Sequence, residues 1–235
     1  MDLIQALAAE LGKDPRHVEN VVHLLDEGNT IPFIARYRKE LHGAMDDTSL
    51  RTLEERLQYL RGLEERREAV KKSIDEQGKL TDELAAAIDS AKTLAEVEDL
   101  YRPYKQKRRT RATMAKEKGL EPLAALLFAQ ERDCPRPEEA ARDFVDPEKG
   151  VETVEDALQG ASDIIAEQIS DDAAIRKSLR ALISRQGQLV SRAATEDDSV
   201  YRLYYDFTQS VARLQGHQVL AINRGEKEGI LKVSI

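Results

Sequence analysis

Tryptophan is absent from these 235 residues, and phenylalanine and tyrosine bring the aromatic share to only 5%. That scarcity argues against an aromatic-rich β-sandwich, whereas a charged fraction of 34% among many Leu and Ala residues suits helices. The single cysteine, Cys134, excludes an intramolecular disulfide and fits a reducing compartment. Long hydrophobic runs are missing as well. The purest, Leu123 to Ala129, is far too short to span a bilayer, and Met1-Asp2-Leu3-Ile4-Gln5 lacks the basic region and apolar run of a secretory signal. A cytoplasmic protein without membrane association is expected, large enough for one big core or two small ones.

Recognisable catalytic chemistry is equally scarce. There is no phosphate-binding glycine loop, no Gly-x-Ser-x-Gly elbow and no zinc spacing. His17 and His23 stand six apart on different helical faces, and His42 and His217 are isolated, so all four read as ordinary surface or half-buried histidines. Asp171 and Asp172 sit where a helix starts and serve its dipole. The expectation is a protein that is not an enzyme and carries no cofactor or metal.

What the chain does have is one concentrated block of positive charge. The formal net charge is -8, yet residues 102–118 hold eight basic residues against one acidic residue, Glu117. Within it, Lys105, Lys107, Arg108, Arg109 and Arg111 place five cations in seven positions. Three of them are Arg, the better side chain for bidentate phosphate contact. A polyanion or an acidic partner surface is one reading, and a solvated basic loop is the other. The acidic remainder confines any nucleic-acid contact to this locality. Tyr101 and Tyr104 lie just upstream, either to stack on bases or to pack on neighbouring helices. Arg36, Arg38 and Lys39 form a second basic edge.

Helical spacing dominates the rest. Leu3, Ile4, Leu7 and Leu11 recur on one face up to Gly12, and Asp14-Pro15 opens a second helix bearing Val18, Val21, Val22 and Leu25. With Thr30 starting a third segment, this is a helix-turn-helix-like pattern. Asp46, Asp47 and Thr48 then cap a helix of about 30 residues, striped by Leu50, Leu53, Leu57, Leu60, Leu63, Val70 and Ile74 and broken only at Arg67. On its other faces Glu64 and Glu68 are set against Arg61 and Lys72. Thr81 starts another helix, and Thr93-Leu94-Ala95-Glu96 is a capping box for the next, which Pro103 stops. The basic block is predicted as a loop or extended segment before a helix from Leu123 to about Gln130. Cys134-Pro135-Arg136-Pro137 reads as a linker, followed by helices over 153–169 and 171–186. Gln188 to Ser191 looks extended, and His217–Asn223 and Ile230–Ile235 read as strands of a hairpin around Gly225-Glu226-Lys227-Glu228-Gly229.

The predicted fold class is mainly α: a multi-helix array with an N-terminal helix-turn-helix-like element, a long central helix and a small C-terminal β-hairpin. Its regions are 1–78, 79–134, 135–195 and 196–235. A chain stopping inside its last strand is expected to be a fragment of something longer.

Four blocks carry a resemblance. Ile31-Pro32-Phe33-Ile34-Ala35-Arg36-Tyr37-Arg38-Lys39-Glu40, Leu53-Glu54-Glu55-Arg56-Leu57, Tyr101 to Thr110, and Arg224 to Gly229 resemble signatures of the bacterial Tex family of transcription accessory proteins. They occur in family order and span nearly the whole chain. The resemblance implies the mainly helical N-terminal portion of a protein that continues into an RNase H-like domain, a helix-hairpin-helix region and an OB-fold RNA-binding domain. The family is similar in architecture to a eukaryotic elongation factor and histone chaperone. The lead reading takes nucleic acid, RNA or DNA, as partner: on the charge pattern of this chain Lys105, Lys107, Arg108, Arg109 and Arg111 contact phosphates, Arg36, Arg38 and Lys39 add a second basic edge, and Tyr104 stacks on a base. The alternative is a docking scaffold for RNA polymerase, for an elongation complex or for the parent's own downstream domains.

Overall fold

A computed structural model of the chain describes residues 3–106, 108–132, 134–195 and 198–235. It divides into two compact units, Met1–Tyr101 and Arg102–Ile235, taken here in turn.

The first unit is entirely helical among its described residues. α1 (Leu3–Leu11) stops where Gly12 turns left-handed at φ +61°. α2 (Pro15–Asp26) starts as predicted, the Asp14 carboxylate accepting the Arg16 N–H at 2.8 Å with Pro15 in the first helical position. α3 (Ile31–Tyr37) is one short step, and α4 (Asp47–Asp75) is the 29-residue spine, its first turn capped by Asp46 through the Ser49 N–H. α5 (Asp82–Ser90) is capped by Thr81. Before α6 (Leu94–Tyr101), Thr93 accepts the Glu96 N–H while the Glu96 carboxylate accepts the Lys92 N–H at 2.7 Å, closing the box one residue earlier than predicted.

Leu7, Val18, Val21, Ile34, Leu50 and Leu53 are fully buried and knit α1, α2 and α3 to the front half of α4. Each such side chain contributes roughly 1.5–3 kcal/mol of burial. Farther along, the stripe does not break at Arg67. That residue is itself buried, 4% exposed, between Leu63 and Val70. The pairs expected along the helix are also replaced. Arg61 reaches across to Asp26 of α2 and Arg56 to Glu10 of α1, both with two hydrogen bonds, while Glu64 takes Arg67 and Glu68 takes Lys71. A neighbouring helix offers fork-on-fork geometry that an i,i+4 partner cannot.

Those two bridges set an acid response. Hydrogen bonding from Arg56 and Arg61 holds the Glu10 and Asp26 carboxyls below their ordinary range. Lowered folded-state values mean stability that is present above the unfolded pKa and lost as pH falls through the folded one. Both pairs are more than a third exposed, so solvent screening keeps each to about 1 kcal/mol or less. In urea titrations Glu10→Gln and Asp26→Asn should be less stable than the parent near about pH 6, and the gap should narrow as pH falls below the unfolded carboxyl values of about 4.

The second unit opens with a tight turn over Arg102–Tyr104 and then α7 (Arg111–Glu117). The basic block is therefore not a loop throughout. From Arg111 it is helical, because Thr110 caps the segment by accepting the Thr113 N–H and Ala112 and Ala115 give it a buried face. α8 (Glu121–Ala129), α9 (Pro137–Ala141) and α10 (Val154–Asp171) complete a helical cluster, with the Cys134 to Pro137 connection inside it. Its core is rich in alanine, including Ala124, Ala141, Ala157 and Ala161, around Leu123 and Ile164. Small residues let α10 lie close against α7 and α8.

α11 (Ala173–Gln186) leads into a three-stranded antiparallel sheet of order β2-β1-β3, formed by β1 (Gln188–Ala193), β2 (Asp206–Ser210) and β3 (Leu231–Ser234). Ser191 pairs with Phe207 on one side and Val233 on the other. The expected hairpin partner of β3 is instead α12 (Gly216–Lys227). Val219, Leu220 and Ile222 suit either period over so short a run. What decides is the start, where Gln215 and Gln218 form a capping box, and Gly225, which lets α12 close onto Leu231 and Tyr201. The mainly helical class with a small C-terminal antiparallel sheet holds. No described helix is long and apolar enough to cross a membrane.

Candidate nucleic-acid interface

α10 presents Asp163, Glu167 and Asp171 at successive i,i+4 positions, one above another on a single face. Each meets the basic block. Arg111 lies 3.7 Å from Asp163, the Thr110 hydroxyl donates to Glu167 at 3.1 Å, and Arg102 Nε donates to Asp171 at 2.9 Å. Residues 102–111 thus run antiparallel to α10, held at both ends by an acidic stripe. Asp171 belongs to this clamp at the end of α10 rather than to a helix start, whereas Asp172 does cap α11 through the Ile175 N–H at 2.7 Å.

Between the clamped ends, Lys105, Gln106, Arg108 and Arg109 are exposed, and Lys107 lies outside the described residues. Arg109 reaches Glu117 at 2.6 Å, with both side chains more than half exposed. Lys105 and Arg108 make no ion pair among the described residues. Exposed pairs of this kind contribute about 0–1 kcal/mol, so Arg109 and Arg111 can exchange a carboxylate for a phosphate at little cost. A shallow depression of about 590 Å³ adjoins the clamp, lined by Pro103, Lys105, Thr113 and Lys116 with Glu167 and Asp171. Tyr104 is half-buried beside it.

The other cations belong to the first unit. Arg36, Arg38 and Lys39 surround an aromatic pair that the sequence offers only as apolar contacts, Phe33 and Tyr37, with ring centroids 5.2 Å apart. The Arg38 guanidinium sits 5.4 Å from the Phe33 ring, Arg36 is 6.0 Å from that of Tyr37, and Tyr37 is 57% exposed. Their i,i+4 spacing beside the cations at 36, 38 and 39 is the signal the sequence carries. A depression of about 770 Å³ here is lined by Pro32, Phe33, Arg36, Tyr37 and Lys39. Tyr101 takes the packing alternative, its hydroxyl 3.0 Å from that of Ser73 and its ring 5.4 Å from the Arg66 guanidinium.

Two family descriptions match this chain: the Tex-like protein N-terminal domain over residues 1–75 and the Tex central region-like segment over residues 133–235. The chain belongs to the Tex family. Among its relatives, Protein YhgF of Escherichia coli is 48% identical over 97% of this chain, and the Transcriptional accessory protein Tex of Neisseria gonorrhoeae is 43% identical over 100% of this chain. The human S1 RNA-binding domain-containing protein 1 is 31% identical, again over 100% of this chain. Those alignments take in 30%, 31% and 24% of the relatives, so the chain spans about a third or less of the proteins it matches.

The structure separates the Tex-like blocks by role. Leu53 and Leu57 are core residues of α4, and Gly225 is a close-packing position where an added Cβ would stand 2.7 Å from Leu231. The block from Ile31 contributes the cation-and-aromatic surface of α3. The Tyr101–Thr110 block lies between the two matched segments, within the span covered by the pairwise alignments.

Proposed function

We propose that this chain is a nucleic-acid-contacting part of a cytoplasmic Tex-like transcription accessory protein, and that the segment from Lys105 to Arg111 grips the phosphate backbone. The observation that carries the reading is the clamp. A chain held at both ends by the α10 carboxylates keeps Lys105 and Arg108 in water and Arg109 and Arg111 in exchangeable pairs. Lys107 and the half-buried Tyr104 belong to the same contact, and Arg36, Arg38 and Lys39 add a second one beside Phe33 and Tyr37. Relatives named for transcription and for an S1 RNA-binding domain support this class of partner.

Fluorescence anisotropy with single-stranded RNA and duplex DNA across a salt series tests it. Neutralising about five phosphates on a single strand predicts a log-log salt slope near -3.5. Changing Lys105, Lys107, Arg108, Arg109 and Arg111 together to Gln should abolish that steeply salt-dependent binding. No binding at low salt by the folded chain would overturn the reading and leave a docking scaffold for polymerase or downstream domains. One further variant probes the clamp. Asp163→Asn removes the carboxylate that competes for Arg111 and should tighten binding by about twofold, the size of one exposed ion pair.

A further inference from the structure

Other tyrosines of this chain are tied down. The Tyr59 hydroxyl accepts the Leu94 N–H, Tyr101 shares a hydrogen bond with Ser73, and Tyr205 donates to Ser199 at 2.8 Å. Tyr37 is not. It is the most exposed aromatic side chain among the described residues, and its hydroxyl makes no hydrogen bond within them. The helix period explains why. Ile31 and Ile34 turn into the core, and at about 100° per residue Phe33, Arg36 and Tyr37 share an arc of about 100° on the side away from them.

The cations around this face differ in how far they are engaged. Arg38 covers the Phe33 ring, whereas Arg36 stands at the outer reach of an attraction to Tyr37. Neither Arg36 nor Lys39 makes an ion pair among the described residues, and Asp47, which lines the same depression, is taken by Arg51 at 2.7 Å. Residues 32–40 carry three cations against one carboxylate, Glu40, so the face keeps a positive balance.

The exposed ring, more than the charges, selects the occupant. In a duplex each base is stacked on both faces, so a duplex offers phosphates to Arg36 and Lys39 but nothing to the ring. An acidic side chain likewise answers the cations alone. An unpaired nucleotide brings a π-face and a phosphate together, and stacking on an aromatic ring accepts any base. A lipid surface is disfavoured, because α3 is seven residues long and both its isoleucines are buried, leaving no large aliphatic side chain to insert beside the rings.

We propose that the Phe33–Tyr37 face of α3 is a stacking platform for an unpaired nucleobase, with Tyr37 against the base and Arg36 and Lys39 beside its phosphates. The proposal rests on the reading of this chain as nucleic-acid-contacting, and adds that the first unit selects single strands over duplex. The cations at 105–111 act through charge, whereas this ring acts through an unstacked base.

The test titrates the 235-residue chain with a single-stranded RNA carrying 2-aminopurine, with the same strand annealed to its complement, and with a strand whose central nucleotides are abasic. The parent should quench the 2-aminopurine, prefer single strand to duplex, and bind the intact strand more tightly than the abasic one. In Tyr37→Ala the advantage of the intact strand should shrink at least about fivefold, while duplex affinity stays within about twofold. The salt slope should not change, because no charge is removed. Tyr37→Phe keeps the ring and should match the parent. Tyr37 is exposed, so each variant should retain the parent's circular dichroism. An intact strand with no advantage over the abasic one in the parent, an unchanged quench in Tyr37→Ala, or equal losses for single strand and duplex would each overturn the platform and leave the phosphate grip at 105–111 standing. Absence of binding to every strand by the folded chain would overturn both. Binding to phosphatidylserine vesicles that Tyr37→Ala abolishes, with the strands unaffected, would make the face a lipid contact instead.

Discussion

Replacing Arg67 with alanine is expected to destabilise the first unit by about 3 kcal/mol, a loss reserved for buried positions with specific partners. The guanidinium donates from Nη1 to Glu64 at 2.6 Å and from Nη2 to the Ala91 carbonyl at 2.5 Å. Ala91 ends α5 and is buried, so its carbonyl has no water to fall back on. Losing a charge-assisted bond to a buried acceptor costs about 1.5–3 kcal/mol, and the missing methylenes add roughly 0.8 kcal/mol each where they were packed. The cavity of about 690 Å³ that Arg67 lines with Leu60 and Leu63 would also widen. Glu64 adds little to the loss, being half exposed and free to hydrate. Arg67→Met keeps the stem but loses the same bond to the Ala91 carbonyl, and should cost about 2 kcal/mol. Chemical unfolding followed by circular dichroism separates the two. An alanine variant within about 0.5 kcal/mol of the parent would mean that Arg67 only borders the core.

Arg67 also shows where the sequence stops being legible. The 29-residue α4 could be read end to end, because Asp46 caps it and its Leu stripe keeps one period. The breaking residue could not be placed, since what buries it is a carbonyl 24 positions downstream. The same distance hid the clamp. The cations at 105–111 stand out in any charge count, but the carboxylate that holds Arg102 is 69 residues away, on a helix whose acidic face is otherwise unremarkable. α7 was missed for a different reason. Its buried face is Ala112 and Ala115, too small to give a periodic signal among so many charges. At α12 the ambiguity is one of period, which the Gln215–Gln218 cap and the close approach of Gly225 to Leu231 resolve. Local chemistry named the caps and the spine, whereas every misreading turned on a partner remote in sequence or on a small residue.

A small residue sets the second large effect. Gly160→Val in α10 should destabilise the second unit by about 3 kcal/mol, against the local preference that makes glycine the worst ordinary residue inside a helix. A Cβ at 160 would stand 2.3 Å from Leu120 Cδ1 and 3.3 Å from Ala115 Cβ. Leu120 is 1% exposed and cannot swing clear without displacing the alanines around it. Overpacking of a filled core costs about 1–3 kcal/mol, and a branched side chain falls at the upper end. Gly62 on α4 is the control, for nothing lies within 4 Å of its missing Cβ. Gly62→Ala should stabilise by about 0.5–1 kcal/mol through helix propensity alone. Opposite signs at two helical glycines, measured by thermal and urea unfolding, would tie the penalty to the seam between α10 and the Ala115–Leu120 turn. Equal signs would reduce it to propensity. The seam bears on function because α10 carries Asp163, Glu167 and Asp171. A wedge at Gly160 that moves α10 off Ala115 also draws the acidic stripe away from Thr110 and Arg111. The Gly160→Val chain that remains folded should therefore bind single-stranded RNA with a salt slope altered from the parent's, whereas the Gly62→Ala chain should match it.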